Sequence, residues 1–87
     1  MSAFWLKIAT PDGNLFDGDV AQLLLRGSEG DLAILPGHIP FATGVQAGTV
    51  KLTMEDGTER LGRTKGGLLT VGANASTLLS SSFQWEE

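Results

Sequence analysis

The residues whose types and spacing bear on chemistry are Glu29, Asp31 and His38. They lie within "GSEGDLAILPGHIPFATGV", residues 27–45, which also holds two of the chain's three prolines and its only histidine. Two carboxylates near an imidazole are the raw material of a metal site or an acid–base pair. In an extended strand Glu29 and Asp31, two positions apart, share a face, but His38 follows Pro36-Gly37 in an expected turn. No second histidine exists to complete the three protein ligands of a usual catalytic zinc site. Ser28 and His38 make no better nucleophile and base, because no motif marks an orienting acid or an oxyanion hole. The glycines at 27, 30, 37, 44 and 48 lead into neither a Lys-Ser/Thr ending nor a helix, so they are turns and bulges rather than a phosphate loop. The residues therefore predict no catalysis, no metal and no cofactor.

The elements that must position these residues are strands. Phe4, Leu6 and Ile8 alternate with Trp5, Lys7 and Ala9, and Val50, Leu52 and Met54 alternate with Lys51, Thr53 and Glu55, which is the period of half-buried strands. Gly and Asx pairs at "PDGN" (11–14), "DG" (17–18), "EDG" (55–57) and "GAN" (72–74) mark expected turns. The clearest hairpin is "VKLTMEDGTERLG", residues 50–62, turning at Asp56-Gly57. "AQLLLRG" (21–27) and "GGLLTVGANASTLLS" (66–80) supply further strands. Thr10-Pro11 and Leu35-Pro36 fit strand ends. No capped segment carries helical spacing, and 12 glycines disfavour helix interiors. The expectation is an all-β antiparallel sandwich or barrel. Leu23, Leu24 and Leu25 in succession place leucine on both faces of one strand, which is then either covered twice or shows an apolar face to a partner.

Size and composition bound the function. At 87 residues, the chain suits one domain spanning 1–87, and 41% hydrophobic against 18% charged residues is a balance that folds. Without cysteine, disulfides, thiolate chemistry and cysteine-based metal sites are excluded. The start "MSAFWLKIATPDG" lacks signal-peptide character and no apolar run spans a bilayer, so direct membrane insertion is not expected. The net charge is −4, and the six basic residues are interrupted by acids, so nucleic acid is an unexpected partner. "NAS" (74–76) matches a glycosylation sequon and is set aside as chance. Trp5, opposite the apolar face of its strand, is a candidate exposed aromatic for surface contact, with packing under a loop as the other reading; Trp85 is equally ambiguous.

The run "TPDGNLFDGDVAQLLLRGSEGDLAILPGHIPFATGVQAGTVKL" (10–52), continued by "DGTERLGRTKGGLLTVGANASTLL" (56–79), resembles the N-terminal β-sandwich domain of the epsilon subunit of F-type ATP synthases. The specific cues are "GSEGDLAILPGH" (27–38), "PFATGVQAG" (40–48) and the glycine pair, leucine and valine of 66–71. The resemblance implies a flattened antiparallel β-sandwich of about ten short strands. It implies a non-catalytic central-stalk role, bound to the gamma subunit and seated on the polar loops of the c-ring, at the cytoplasmic face of the bacterial plasma membrane. Residues of the "GSEGDL" turn face ring loops that carry arginine in that family, which gives Glu29 and Asp31 a c-ring contact. The His38 position lies near the surface facing gamma and the ring, so a contact role is implied for it. Family members commonly continue into a two-helix C-terminal domain that inhibits hydrolysis and in some binds ATP. This sequence stops at "FQWEE", so no inhibitory hairpin and no nucleotide site are expected within it. Two other readings compete: an independent small β-sandwich ligand-binding module using Trp5 and Trp85 as stacking platforms, and a small hydrolase or metal enzyme built on Glu29, Asp31 and His38.

Overall fold

A computed structural model describes residues 3–37, 39–73 and 75–86. These form ten strands and, among the described residues, no helix long and apolar enough to cross a membrane. The strands are β1 (Phe4–Thr10), β2 (Gly13–Val20), β3 (Gln22–Gly27), β4 (Gly30–Ile34), β5 (Phe41–Val45), β6 (Gly48–Thr53), β7 (Glu59–Thr64), β8 (Gly67–Val71), β9 (Ala75–Ser80) and β10 (Phe83–Trp85). They follow the order β10-β7-β6-β3-β5-β8-β9-β1-β2, with β4 paired to the other edge of β3. The all-β sandwich expected from the alternation is the architecture observed. The sheet is nearly closed into a barrel, and β3 and β5 are joined by one register pair, Gly27 with Val45. That narrow joint lets β4-β3-β6-β7-β10 face β5-β8-β9-β1-β2 as two layers. The extents of 30 × 28 × 23 Å suit two sheets about 10 Å apart with side chains on both outer faces.

The period-two pattern fills the space between the layers. Phe4, Leu6 and Ile8 of β1, Leu23 and Leu25 of β3, Val50 and Leu52 of β6 and Leu69 and Val71 of β8 all point inward, joined by Val20, Ile34, Val45, Leu78 and Phe83. The Asp56-Gly57 hairpin forms as expected: Met54 and Thr58 close it, Gly57 has φ +90°, and the Asp56 carboxylate accepts the Thr58 N–H at 2.9 Å.

Two details differ from the sequence reading, and a third fills it in. The pairing of β1 with β9 is parallel, because the chain returns to β1 from the far end of the sandwich rather than through a hairpin. Asp17-Gly18 makes no turn but lies within β2, where Gly18 is in register with Leu6. A Cβ at Gly18 would make only ordinary contact with the Phe16 ring, 3.6 Å from Cζ, and Gly18 is not among the glycines with positive φ, so this position is plain strand. The leucine triplet is split: Leu23 and Leu25 are in the core, while Leu24 is half-buried on the outer face, in register between Ala33 and Lys51.

Candidate functional site

The acidic turn is the tip of the β3–β4 hairpin. Gly27 faces Gly30 across a two-residue turn, Ser28-Glu29, and Gly30 has φ +128°, a backbone conformation glycine adopts at little steric cost. The tip is held from behind by β5. The Ser28 N–H donates to the Gly44 carbonyl at 3.0 Å and the Gln46 N–H to the Arg26 carbonyl at 2.9 Å. The Gln46 side-chain amide donates to the Ser28 carbonyl at 3.3 Å, and the Ser28 and Thr43 hydroxyls lie 3.4 Å apart. A turn tied to both layers in this way presents its side chains from a fixed platform.

Glu29 is therefore in the turn itself, not in a strand, and the shared strand face expected for Glu29 and Asp31 does not arise. Asp31 is the second residue of β4 and lies in register with Arg26 of β3. The Arg26 Nε donates to Asp31 Oδ1 at 3.4 Å, with the two side chains 59% and 81% exposed. An ion pair this open to water contributes on the order of 0–1 kcal/mol, so Asp31 is available for an outside partner. Past the far end of β4 the chain turns at Pro36-Gly37 and brings Phe41–Thr43 beside the tip, where they line a shallow cleft with Ser28–Leu32. His38 lies outside the described residues. Its neighbour Ile39 is 81% exposed.

Asp31 pairs with a guanidinium and Glu29 stands in the turn, and both acids border the same shallow cleft. The resolved perturbation of a carboxyl lies elsewhere: backbone and side-chain hydrogen bonds from Thr58 hold Asp56 below the usual carboxylate range.

The two outer faces of the sandwich differ in a way alternation alone does not show. On the β3-β6-β7 side, Arg26, Lys51 and Arg63 pair with Asp31, Glu59 and Glu86 at 3.4, 3.2 and 3.5 Å. On the other side, register aligns Gly44, Leu68, Leu79 and Ala9 in one row across β5, β8, β9 and β1. Leu68 and Leu79 in that row are 43% and 49% exposed. Trp5 is half-buried on the same side, between Asp19 and Ala75. Trp85 is half-buried with Arg60 over its ring and Phe16 and Phe83 at its edges, so it offers no open stacking platform. Leu68 and Leu79 meet across the β8–β9 hairpin, but their alignment with Gly44 and Ala9 is not written in the sequence, because β5 and β1 lie far along the chain.

Fold and site define a small β-sandwich that presents an acidic hairpin tip and, on one outer face, a row with two partly exposed leucines. The chain belongs to the family of the ATP synthase delta/epsilon chain beta-sandwich domain, whose model matches residues 3–86. It is 37% identical over 84 residues to the sodium-ion-specific ATP synthase epsilon chain of Acetobacterium woodii, covering 97% of this chain and 63% of that one. It is 37% identical over 87 residues to the ATP synthase epsilon chain of Bacillus velezensis, covering 100% of this chain and 65% of that one. The chain thus spans just under two thirds of these relatives. The same fold occurs in the Euglena gracilis mitochondrial ATP synthase assembly of OSCP, F1 and c-ring, with a TM-score of 0.91 at 18% identity, over 98% of this chain and 54% of that one. It recurs in the central stalk and c-ring assembly of Tetrahymena thermophila mitochondrial ATP synthase, with a TM-score of 0.77 at 13% identity, over 94% and 66%.

Proposed function

We propose that this chain is a non-catalytic rotor component of the central stalk of an F-type ATP synthase, binding the gamma subunit and the polar loops of the c-ring so that ion-driven rotation is coupled to ATP synthesis. The observation that carries the reading is the β3–β4 tip, where an acidic turn is fixed to both layers of the sandwich by backbone hydrogen bonds. Glu29 and Asp31 face the ring's basic loops, where rim charges set docking rate, register and specificity more than raw affinity. The partly exposed Leu68–Leu79 row is the gamma-facing surface, and His38 contributes at the boundary between the two partners. The location is peripheral, at the cytoplasmic face of the bacterial plasma membrane, with no nucleotide and no metal taking part in this domain's work.

The test is docking of an Asp31→Arg variant. Binding to isolated c-ring, measured by co-sedimentation, falls while the melting temperature of the domain stays within about 8 °C of wild type, because the exposed pair with Arg26 contributes on the order of 0–1 kcal/mol. Unchanged binding by Asp31→Arg and by Glu29→Arg would remove the ring-contact reading. A wild-type domain that ignores both gamma and the c-ring would remove the stalk reading altogether.

A further inference from the structure

The strand path has two ends, β10 and β2, and among the described residues no backbone pairing joins them. Side chains bring them together instead. Trp85 of β10 meets Phe16 of β2 edge to face, with centroids 6.1 Å apart and planes at 68°. The same indole meets Phe83 at 5.0 Å and 81°, and the Arg60 guanidinium carbon stands 3.8 Å from its ring centroid. The backbone beside Phe83 is shaped for its ring: a Cβ at Gly62 would run into Phe83 Cζ and stand 2.7 Å from Cε1. Between Ile8 and Ala9 the register slips, leaving Leu15 as the extra residue of a bulge one position before Phe16. Bulges bend and twist the strand that carries them.

We propose that Phe16, Trp85 and Arg60 form a latch, and that the sandwich opens locally along the seam between β2 and β10 at a frequency this cluster sets. A hydrogen-bonded ladder couples neighbouring strands residue by residue, whereas among the described residues this seam has no ladder and is bridged by the Phe16–Trp85 ring pair. Opening uncovers the free edges of both strands, which are templates for pairing with another chain, so the latch also guards against association through them. It further ties the last strand of the domain to β2, so that displacement of the segment after Trp85 is felt at Gly13–Val20. Local opening in a cooperative unit smaller than the domain is the physical form this takes.

Hydrogen exchange of the full chain tests the coupling. In Phe16→Ala, amides of residues 83–86 exchange several-fold to about tenfold faster, the range expected for loss of one aromatic pair, while residues 48–53 and 75–80 are unchanged. The effect on β10 is diagnostic, because β10 pairs with β7 and shares no ladder with β2. In a Trp5→Phe background, where Trp85 is the only indole, the same substitution shifts emission to the red and raises acrylamide quenching. Phe16→Leu keeps apolar volume and gives a smaller change in the same direction. A rise in exchange spread evenly over all strands, up to outright unfolding, overturns the latch, as does faster exchange confined to β2 with β10 unmoved.

Discussion

Replacing Gly67 by alanine puts the packing of the two central strands of one layer to a quantitative test. Gly67 opens β8, in register with Val45 on one side and Ser80 on the other. A Cβ there would collide with the Leu79 carbonyl oxygen and stand 2.9 Å from the Leu79 carbonyl carbon and 3.0 Å from Ser80 Cα. All three are backbone atoms, so no side chain can rotate away and β9 itself must shift. Ser80 is also a relay point. Its hydroxyl donates to the Ser82 carbonyl at 2.7 Å, so the Thr64 hydroxyl, 2.6 Å away, must be the donor between those two, and Thr64 in turn accepts from the Gly66 N–H at 3.0 Å. Overpacking costs typically 1–3 kcal/mol, and a weakened buried hydrogen bond adds about 1 kcal/mol, for a total of about 3 kcal/mol. For a domain of this size each kcal/mol lowers the melting temperature by about 4–8 °C, so thermal unfolding followed by circular dichroism falls by about 12–24 °C. Gly44→Ala is the control, since its Cβ would meet only Ser28 Cβ at 3.9 Å and the change stays within about 0.5 kcal/mol. Melting temperatures of the two variants within about 3 °C of each other would refute the steric argument.

The hydroxyl relay and the unpaired Ser76 give opposite outcomes. Ser80→Ala takes away the acceptor of the buried Thr64 hydroxyl proton and destabilises by about 1–3 kcal/mol in urea unfolding, whereas Ser76→Ala, removing a buried hydroxyl that has no hydrogen-bond partner, is neutral or stabilising. At the Asp56 turn the folded carboxyl is held low, so its contribution is fully present above the unfolded carboxyl's range and is lost as pH falls through the lower folded value. The melting-temperature advantage of wild type over Asp56→Asn accordingly shrinks on acidification below about pH 5, and a difference constant from pH 7 to about pH 2 would contradict this. Paired substitution Leu68→Glu and Leu79→Glu on the outer face leaves the domain folded, since both side chains are 43% and 49% exposed, while gamma binding in a pull-down is lost.

How much of this was legible depends on how far each signal reaches along the chain. The alternation of Phe4, Leu6 and Ile8 and the Asp56-Gly57 turn are complete within a few residues, and both appear in the fold as read. Asp17-Gly18 has the same composition as a turn yet lies inside β2, because the ladder with β1 sets Gly18 opposite Leu6. The same reach separates the parts of the site. That Glu29 and Asp31 make an acidic turn is local; that Asp31 finds Arg26 needs the hairpin register; and that Leu68, Leu79 and Ala9 form one row needs a parallel pairing between β1 and β9, strands at opposite ends of the chain. The aromatic seam is the extreme case, since Phe16 and Trp85 meet only because the sheet curls until its ends touch. Contacts made by closure follow from the summed twist of every strand between them, and twist is a property of the assembled sheet. The exposed Leu68–Leu79 row and the Phe16–Trp85 seam are features of that kind, which is why the core could be read from the chain sooner than these faces.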